Sequence, residues 1–315
     1  RVQLPFSIQP PDLKYWGMEQ SQNLYGDVKM EGFTLDAAVT TQILTACNKV
    51  LRTEAIEVIL SAVIHSFRRT FTDREMPTIY NEGHGREAWD SSIDLSRTVG
   101  WFTTMCPLHV GEGSGKSNSS LSTEQFLTAI DLLDTLKRVK DTRRHLSSKS
   151  RSYFAESLLQ PEGKEGDAFP VPLEILFNYL GQLQQLERDD SLFQHYGEAF
   201  NAETFEMTGD MGSKTPRFAL FEISALIIKN KLQVSFTYNK HMQKEQRIKG
   251  WISECKRVLE HMSRFESFTS EPTLSDCPLL PITYEGLNNM VKRAFPKIGI
   301  DSWDQVEEVY PCSPV

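Results

Sequence analysis

The sequence predicts an α/β fold in which helices cover a mixed β-sheet. Long stretches with apolar residues at three- and four-residue steps predict helices, and shorter stretches with alternating or β-branched and aromatic residues predict strands. The two kinds of stretch are interspersed along the chain. With 315 residues and 39% hydrophobic residues, the chain can form a sizeable buried core, as one large domain or two modest ones.

Composition narrows the class of protein. The formal net charge of −8 argues against nucleic acid as a partner, because binding to phosphates needs concentrated Lys and Arg. The 5 cysteines contain no CxxC pair, which favours a reducing compartment, and we expect a cytoplasmic location. Apolar stretches stay well below the length of a bilayer span, so no membrane association is expected.

The first part of the chain predicts a linker and two helices. Residues 1–30 are Pro-rich and then polar, with Tyr15 and Trp16 as isolated anchors, and predict a segment that lies over another surface. Apolar residues then recur at helical steps from Thr34 to Leu51. The next helix, at about 54–71, is apolar nearly all round, which is typical of a buried helix.

The middle of the chain predicts two strands and a third helix. A strand is expected after Pro77, at 78–80, and another extended stretch at 100–110. A Gly/Ser loop at 111–122 precedes capping-box spacing at Ser122 and Gln125, which predicts a helix start. The basic run 137–151 is expected to be a solvated face.

The last third predicts a hairpin and a strongly amphipathic helix. Residues 218–228 and 232–238 are rich in strand formers and are separated by a short polar turn. After His241, apolar residues from Ile248 to Phe265 form one stripe at helical spacing. The aperiodic stretch 197–216 predicts a surface loop.

Three segments carry chemically useful side chains. Residues 80–87 (YNEGHGRE) place two carboxylates, an imidazole and a guanidinium at the end of a predicted strand, with glycines that permit a sharp turn. Taken alone, this composition is more typical of a polar turn. Residues 94–107 (DLSRTVGWFTTMCP) contain Gly100, where a bulge or a close backbone contact is expected. Residues 177–182 (FNYLGQ) alone favour packing.

In this order, the three segments resemble the EGHGRE, RTVGWFT and FNYLG signatures of epimerization domains of nonribosomal peptide synthetases. Residues 48–71 also resemble that family, and the ending VEEVYPCSP resembles the junction into a following condensation domain in fungal synthetases. The resemblance implies a chloramphenicol-acetyltransferase-like fold, in which two lobes form a V. It assigns 1–30 to an inter-lobe linker, 31–300 to the C-terminal lobe and 301–315 to a linker into the next domain. We therefore expect a piece of a larger protein.

The resemblance also implies a reaction. The family converts an L-aminoacyl or peptidyl carrier-protein thioester to the D form by removing and returning the α-proton. Carried over by motif, Glu82 is the catalytic glutamate, and Asn178 and Tyr179 face the thioester or enolate. Supporting or substrate-binding roles fall to His84, Arg86, Glu87, Arg97, Gly100 and Trp101.

The same family takes its catalytic histidine from an HHxxxDG motif in the N-terminal lobe. None of the 7 histidines in this sequence has a histidine neighbour, so we expect the isolated chain to be catalytically incomplete. The implied partners are that missing lobe, a peptidyl carrier protein, and neighbouring adenylation and condensation domains. We expect this chain to bind no metal and no cofactor of its own, because the substrate is carried on the phosphopantetheine arm of the carrier protein.

Two alternatives remain open at this point. An amide-forming lobe of the condensation type shares the implied fold, although the EGHGRE and FNYLG segments favour epimerization. A non-catalytic lobe that docks a carrier protein is compatible with the absence of a histidine pair. Residues 143–159 also lack the glycines that the family usually shows near this point.

Overall fold

The computed structural model confirms the predicted mixed α/β class. The structure describes residues 4–48, 52–86, 92–100, 102–111, 124–147, 153–155, 171–183, 190, 192, 211–264 and 271–312. Apart from Gly111, the predicted loop at 111–122 lies outside these ranges, as does most of the predicted loop at 197–216. Of the predicted capping pair, Ser122 lies outside the described residues and Gln125 lies in the helix that begins at Glu124. Among the described helices, none combines the length and apolarity that crossing a bilayer requires.

Six strands form one sheet in the order β1-β6-β5-β4-β2-β3. Strands β2, β4 and β5 run parallel to one another, and every other neighbouring pair is antiparallel. The predicted hairpin is therefore present as β5 and β6. The strand bounds are β1 Val28–Thr34, β2 Ile79–Gly83, β3 Thr104–Leu108, β4 Leu173–Gln182, β5 Ala219–Ile228 and β6 Lys231–Asn239.

Two long helices cover one side of this sheet. Helix α2, at Ala55–Thr70, begins within one residue of its predicted start. Its Val63 carbonyl accepts a 3.1 Å hydrogen bond from the buried Trp251 indole of helix α4, at Glu245–Met262. The helix bounds are α1 Ala37–Gln42, α2 Ala55–Thr70, α3 Glu124–Ser147, α4 Glu245–Met262 and α5 Tyr284–Asn289. Shorter π and 3-10 turns occupy Tyr25–Asp27, Ile43–Cys47, Leu274–Asp276, Met290–Ala294, Phe295–Ile298 and Trp303–Gln305.

The sheet has one apolar and one polar side, because successive side chains of a strand alternate between faces. The apolar side, here called the helix face, contributes buried residues such as Phe177, Ile223 and Phe236 to the main core. The opposite side is called the polar face and is defined by Glu82, Asn178, Glu222, Ser224 and Ser235. The first four of these are only partly buried.

Both ends of the chain pack onto its own core over their described residues. Trp16 is fully buried, and its indole donates a 2.7 Å hydrogen bond to Glu174. Trp303 belongs to a second, smaller hydrophobic cluster. Arg52 donates hydrogen bonds to the carbonyls of Trp303 and Val306. The boundaries 1–30, 31–300 and 301–315 stay a prediction, but residues 28–30 already belong to β1.

The expectation that the basic run 137–151 is a solvated face is wrong for its buried members. Lys140 has 0% side-chain exposure and contacts Asp276 at 2.7 Å, while Arg144 donates a 2.9 Å hydrogen bond to the buried Glu57. The reason is helical spacing, since Lys140 follows the buried Leu136 by one turn of α3. A cation thus sits on the buried stripe of the helix.

The extended stretch predicted at 100–110 contains β3 only from Thr104 to Leu108. Gly100 lies in the loop that precedes this strand rather than in a bulge. Its carbonyl accepts a 3.1 Å hydrogen bond from Arg86. The close contact expected at the Gly100 backbone is therefore present as this hydrogen bond within a loop.

Candidate active site

The register of the sheet brings two of the candidate residues together. Glu82 of β2 pairs directly with Asn178 of the parallel strand β4. Residues paired in this way carry side chains on the same face of the sheet. The row continues through Ser224 on β5 and Ser235 on β6. A carboxylate and an amide that are 96 positions apart in the sequence are therefore neighbours on the polar face.

Tyr179 is placed differently, because it follows Asn178 by one residue along β4. It pairs with Ala225, a buried residue of the main core, and so points to the helix face. Its ring packs partly buried against that core, and burial raises the pKa of its phenol. The structure therefore does not place Tyr179 beside Asn178 on one face.

A cavity of about 590 Å³ lies at this end of strands β2 and β4. Glu82, His84, Asn178 and Tyr179 all contribute to its wall, which also includes the start of α2 and Arg143 near the end of α3. Residues from both faces can line one cavity because it lies where the strands end. The volume lies within the range usual for small-molecule pockets.

The environment of Glu82 favours its protonated form. Burial raises the pKa of Glu82 above its ordinary value, and the negative charge of Glu222 adds to this effect. A hydrogen bond with Thr103 acts in the opposite direction. Because the burial effect is the largest of the three, Glu82 is suited to hold and donate a proton at a pH where most carboxyl groups are ionised.

Arg86 fixes the loop that follows β2. Its guanidinium donates hydrogen bonds of 3.2, 2.9 and 3.1 Å to the carbonyls of Leu95, Thr98 and Gly100. It also lies 4.4 Å from the centre of the Phe102 ring. The Arg86 backbone N–H donates a 3.1 Å hydrogen bond to Nδ1 of His84. Arg86 therefore holds residues 95–100 and Phe102 near the end of β2.

The remaining predicted site residues lie further from the cavity or outside the described ranges. Arg97 and Gly100 are exposed on the loop held by Arg86, and neither contributes to the cavity wall. Glu87 and Trp101 lie outside the described residues. Their supporting or substrate-binding roles stay predictions.

Sequence reasoning missed Glu222 and Arg217. Glu222 lies on the polar face within β5, and its carboxylate is 3.4 Å from the guanidinium of the fully buried Arg217. Burial raises the pKa of Glu222, while Arg217 and the backbone of Ala219 oppose that effect. The available signal was a single charged residue inside the run FALFEISALII, because a carboxylate in a buried strand is unusual.

The described part of the chain contains no group of three or more His, Cys, Asp or Glu side chains that could hold a metal ion.

Comparisons with known proteins identify relatives over the whole chain. A family model described as "Condensation domain" matches residues 17–275. "Nonribosomal peptide synthetase 1" of Aspergillus fumigatus is 59% identical over 100% of this chain, and "Nonribosomal peptide synthetase nlsA" of Emericella nidulans is 53% identical over 100% of it. The chain spans only 5% of the length of each of these proteins.

Solved structures show the same fold. The epimerization domain from the third module of tyrocidine synthetase B aligns with 83% of this chain and 53% of its own, with a TM-score of 0.60 and 22% identity. A second solved structure, described as the "Molecular basis for condensation domain-mediated chain release from the enacyloxin polyketide synthase", aligns with 85% of this chain and 46% of its own chain. Its TM-score is 0.51 and its sequence identity is 13%. These likenesses confirm the predicted chloramphenicol-acetyltransferase-like fold. The family model matches residues 17–275, which is most of the chain, and the chain therefore belongs to the condensation-domain family.

Proposed function

We propose that this chain is part of an epimerization domain of a nonribosomal peptide synthetase, which converts an L-aminoacyl or peptidyl carrier-protein thioester to the D form. The observation that carries the proposal is the partly buried Glu82, paired with Asn178 at a cavity, with a pKa raised by burial. The EGHGRE, RTVGWFT and FNYLG segments and the synthetase relatives support it.

Inversion at the α-carbon requires two proton transfers on opposite sides of that carbon. A base removes the α-proton, and the electrons of the broken C–H bond move onto the thioester carbonyl oxygen to form an enolate. An acid then returns a proton to the other side. Glu82, whose pKa is raised by burial, is suited to be the acid and becomes the base when the reaction runs in reverse.

The enolate oxygen needs a hydrogen-bond donor aimed at it, because the α-hydrogen of a thioester remains a weak acid. The side-chain amide of Asn178 lies on the same face as Glu82 and can donate such a bond. Tyr179, on the opposite face, would bound the cavity instead. The group on the other side of the α-carbon would come from the lobe that carries HHxxxDG.

A second candidate is amide bond formation. The match to the condensation family model and the fold shared with the enacyloxin chain-release structure favour this candidate as much as epimerization. The two reactions differ in what they require. Epimerization exchanges the α-proton with solvent and needs no acceptor, whereas amide formation needs an acceptor nucleophile and leaves the α-proton in place.

The test uses the synthetase module that contains this chain together with its second lobe and a carrier protein loaded with an L-aminoacyl thioester. In deuterated water without an acceptor, the wild type is expected to incorporate α-deuterium and form the D isomer. The Glu82→Gln form should lose about 100-fold or more of this rate. Glu31→Gln is the matched control, because Glu31 pairs with the core residue Phe236 and so lies on the helix face.

Each outcome assigns a different function. Exchange that persists undiminished in the Glu82→Gln form would remove Glu82 from the mechanism. Product formation that depends on an acceptor, without exchange, would favour amide formation. Binding of the carrier protein with neither reaction would favour a docking role. The isolated chain should give no epimerization.

A further inference from the structure

The polar face carries a second carboxylate that the proposed reaction does not yet use. Glu222 pairs with Leu176, and Leu176 pairs with Tyr80, which precedes Glu82 by two residues on β2. Glu222 and Glu82 therefore lie on the same face, offset by two residues along the strands. Strand β4 alone separates the two carboxylates, which corresponds to roughly 10 Å between their strands. At this separation and offset, the negative charge of Glu222 still raises the pKa of Glu82.

The two carboxylates differ in their counter-charges. Glu222 has the Arg217 guanidinium 3.4 Å away, and the side chain of Arg217 is 0% exposed. Glu82 receives a hydrogen bond from the neutral hydroxyl of Thr103, and Arg217 is not among the groups that act on it. Arg217 is therefore a counter-charge of Glu222.

Arg217 is held firmly in that position. Its guanidinium donates hydrogen bonds of 2.9 Å to the Thr237 carbonyl and 3.3 Å to the Leu220 carbonyl. Tyr25 is a further titratable group beside the pair, and burial and the charge of Glu222 raise the pKa of its phenol, whereas Arg217 lowers it. Burial has the largest effect and raises the pKa of Glu222, while the Arg217 guanidinium and the backbone of Ala219 favour its ionised form.

We propose that Glu222 and Glu82 act as an unequal carboxylate pair, in which Glu222 holds the negative charge beside Arg217 while Glu82 holds the transferable proton. Glu222 is then a positioning residue that acts on the substrate only through Glu82. Pairs of titratable groups in contrasting environments commonly divide acid and base roles in this way. The inference rests on the proposed epimerization and assigns Glu82 as the proton donor in the L-to-D direction.

The inference predicts a shift in the pH profile rather than a loss of rate. If Glu82 must be protonated, the L-to-D rate of the complete module falls as the pH rises through the titration of Glu82. Glu222→Gln removes the neighbouring negative charge, so the fall should occur at a pH lower by roughly 1 unit. Glu31→Gln should leave the profile unchanged. The side chain of Glu31 is 24% exposed, similar to the 21% of Glu222, but it lies on the helix face.

A second variant keeps the test decisive if Glu222→Gln folds poorly. Ser224 lies in the same row as Glu82 and Asn178 and is partly buried. Ser224→Asp adds a negative charge at a similar strand separation, so the fall should move to higher pH. Combining Ser224→Asp with Glu222→Gln should return the profile toward that of the wild type.

The outcomes separate this inference from the proposed function. Opposite shifts in the Glu222→Gln and Ser224→Asp forms support the unequal pair. Profiles that coincide with the wild type, or a Glu222→Gln rate lowered equally at every pH, would overturn it and give Glu222 a purely structural role. In either case the loss of exchange in Glu82→Gln would leave the proposed function standing. A wild type without any exchange would remove the proposed function itself.

Discussion

Burial controls the titration of several side chains, and its effect depends on the charge that each group carries. For Glu82 and Glu222 the ionised form is negative, so burial raises the pKa of both carboxyl groups. For His65 the charged form is the protonated one, so burial lowers the pKa to about 4. The imidazole of His65 is 1% exposed and lies 3.7 Å from Asp131.

His65 predicts a loss of stability in mild acid. Its pKa is lower in the folded chain than the ordinary value of 6.5, so the unfolded chain binds more protons and stability falls as the pH decreases from about 6.5 to about 4. Between pH 7 and pH 4.5 this amounts to about 2.5 kcal/mol. Asp131 and Glu254 oppose the shift, while Arg68 and Arg69 add to it.

The measurement is the free energy of unfolding at pH 7 and pH 4.5 for the wild type and His65→Gln. The loss of unfolding free energy between pH 7 and pH 4.5 should be smaller in His65→Gln than in the wild type by about 2.5 kcal/mol. His241→Gln controls for the replacement of an exposed histidine, since the His241 side chain is 59% exposed. An equal pH dependence of the free energy of unfolding in the wild type and His65→Gln would contradict the lowered pKa of His65.

At the scale of elements, the connection from β2 to the loop before β3 depends on Gly85. This residue has a φ of +61°, and a Cβ there would lie 1.7 Å from the Phe102 carbonyl oxygen. Gly83, two residues earlier, ends β2 beside Thr104. The close approach at Gly85 lets the Arg86 side chain reach the loop carbonyls.

Gly85→Ala is therefore expected to destabilise the chain by about 2 kcal/mol or more, since both the backbone conformation and the contact with Phe102 become strained. Gly111→Ala is the matched control, because nothing lies within 4 Å of a Cβ at that position. It should change stability by less than about 0.5 kcal/mol. Urea unfolding of both variants tests this. Equal stability of the two variants would show that the connection between β2 and β3 accommodates a Cβ at position 85 without loss of stability.

The elements with the clearest periodicity were predicted best. Helix α2 was expected at about 54–71 and spans Ala55–Thr70, because an almost wholly apolar helix has few alternatives. The hairpin of β5 and β6 was recognised from clean alternation. The first helix was expected to reach Leu51, but α1 becomes a π-helix at Ile43, a change of hydrogen bonding that side-chain spacing does not reveal.

At the scale of the whole molecule, ion pairs connect residues 271–312 to helix α3. Lys140 of α3 contacts Asp276 at 2.7 Å, and their side chains are 0% and 5% exposed. Asp141, its neighbour, accepts a 2.9 Å hydrogen bond from the backbone of Ser275. The smaller hydrophobic cluster around Phe295 and Trp303 is joined to α3 through these contacts.

Asp276→Ala should be strongly destabilising, by about 3 to 5 kcal/mol, because it leaves the buried Lys140 without its carboxylate partner. The double change Lys140→Met with Asp276→Leu removes both charges and should cost much less. Unfolding in urea compares the three forms. A double variant as unstable as Asp276→Ala would show that the loss comes from packing rather than from an unpaired charge.

Such long-range pairs mark the limit of what the sequence predicts. Motifs identified Glu82, Asn178 and Arg86 as candidates, and the segment pattern identified the fold. Which residues of two strands lie side by side depends on strand register, so the pairing of Glu82 with Asn178 required the structure. The pair of Glu222 and Arg217 also becomes meaningful only when β5 is placed next to β4.

The central claim is that burial holds Glu82 in a readily protonated state, and a titration of this chain tests it directly. Carbon-13 NMR of labelled glutamate carboxyl groups, compared between the wild type and Glu82→Gln, identifies the Glu82 signal as the one missing from the variant. The account predicts a titration midpoint above the ordinary value of 4.5. A midpoint at or below 4.5 would contradict it, because burial would then not raise the pKa of Glu82.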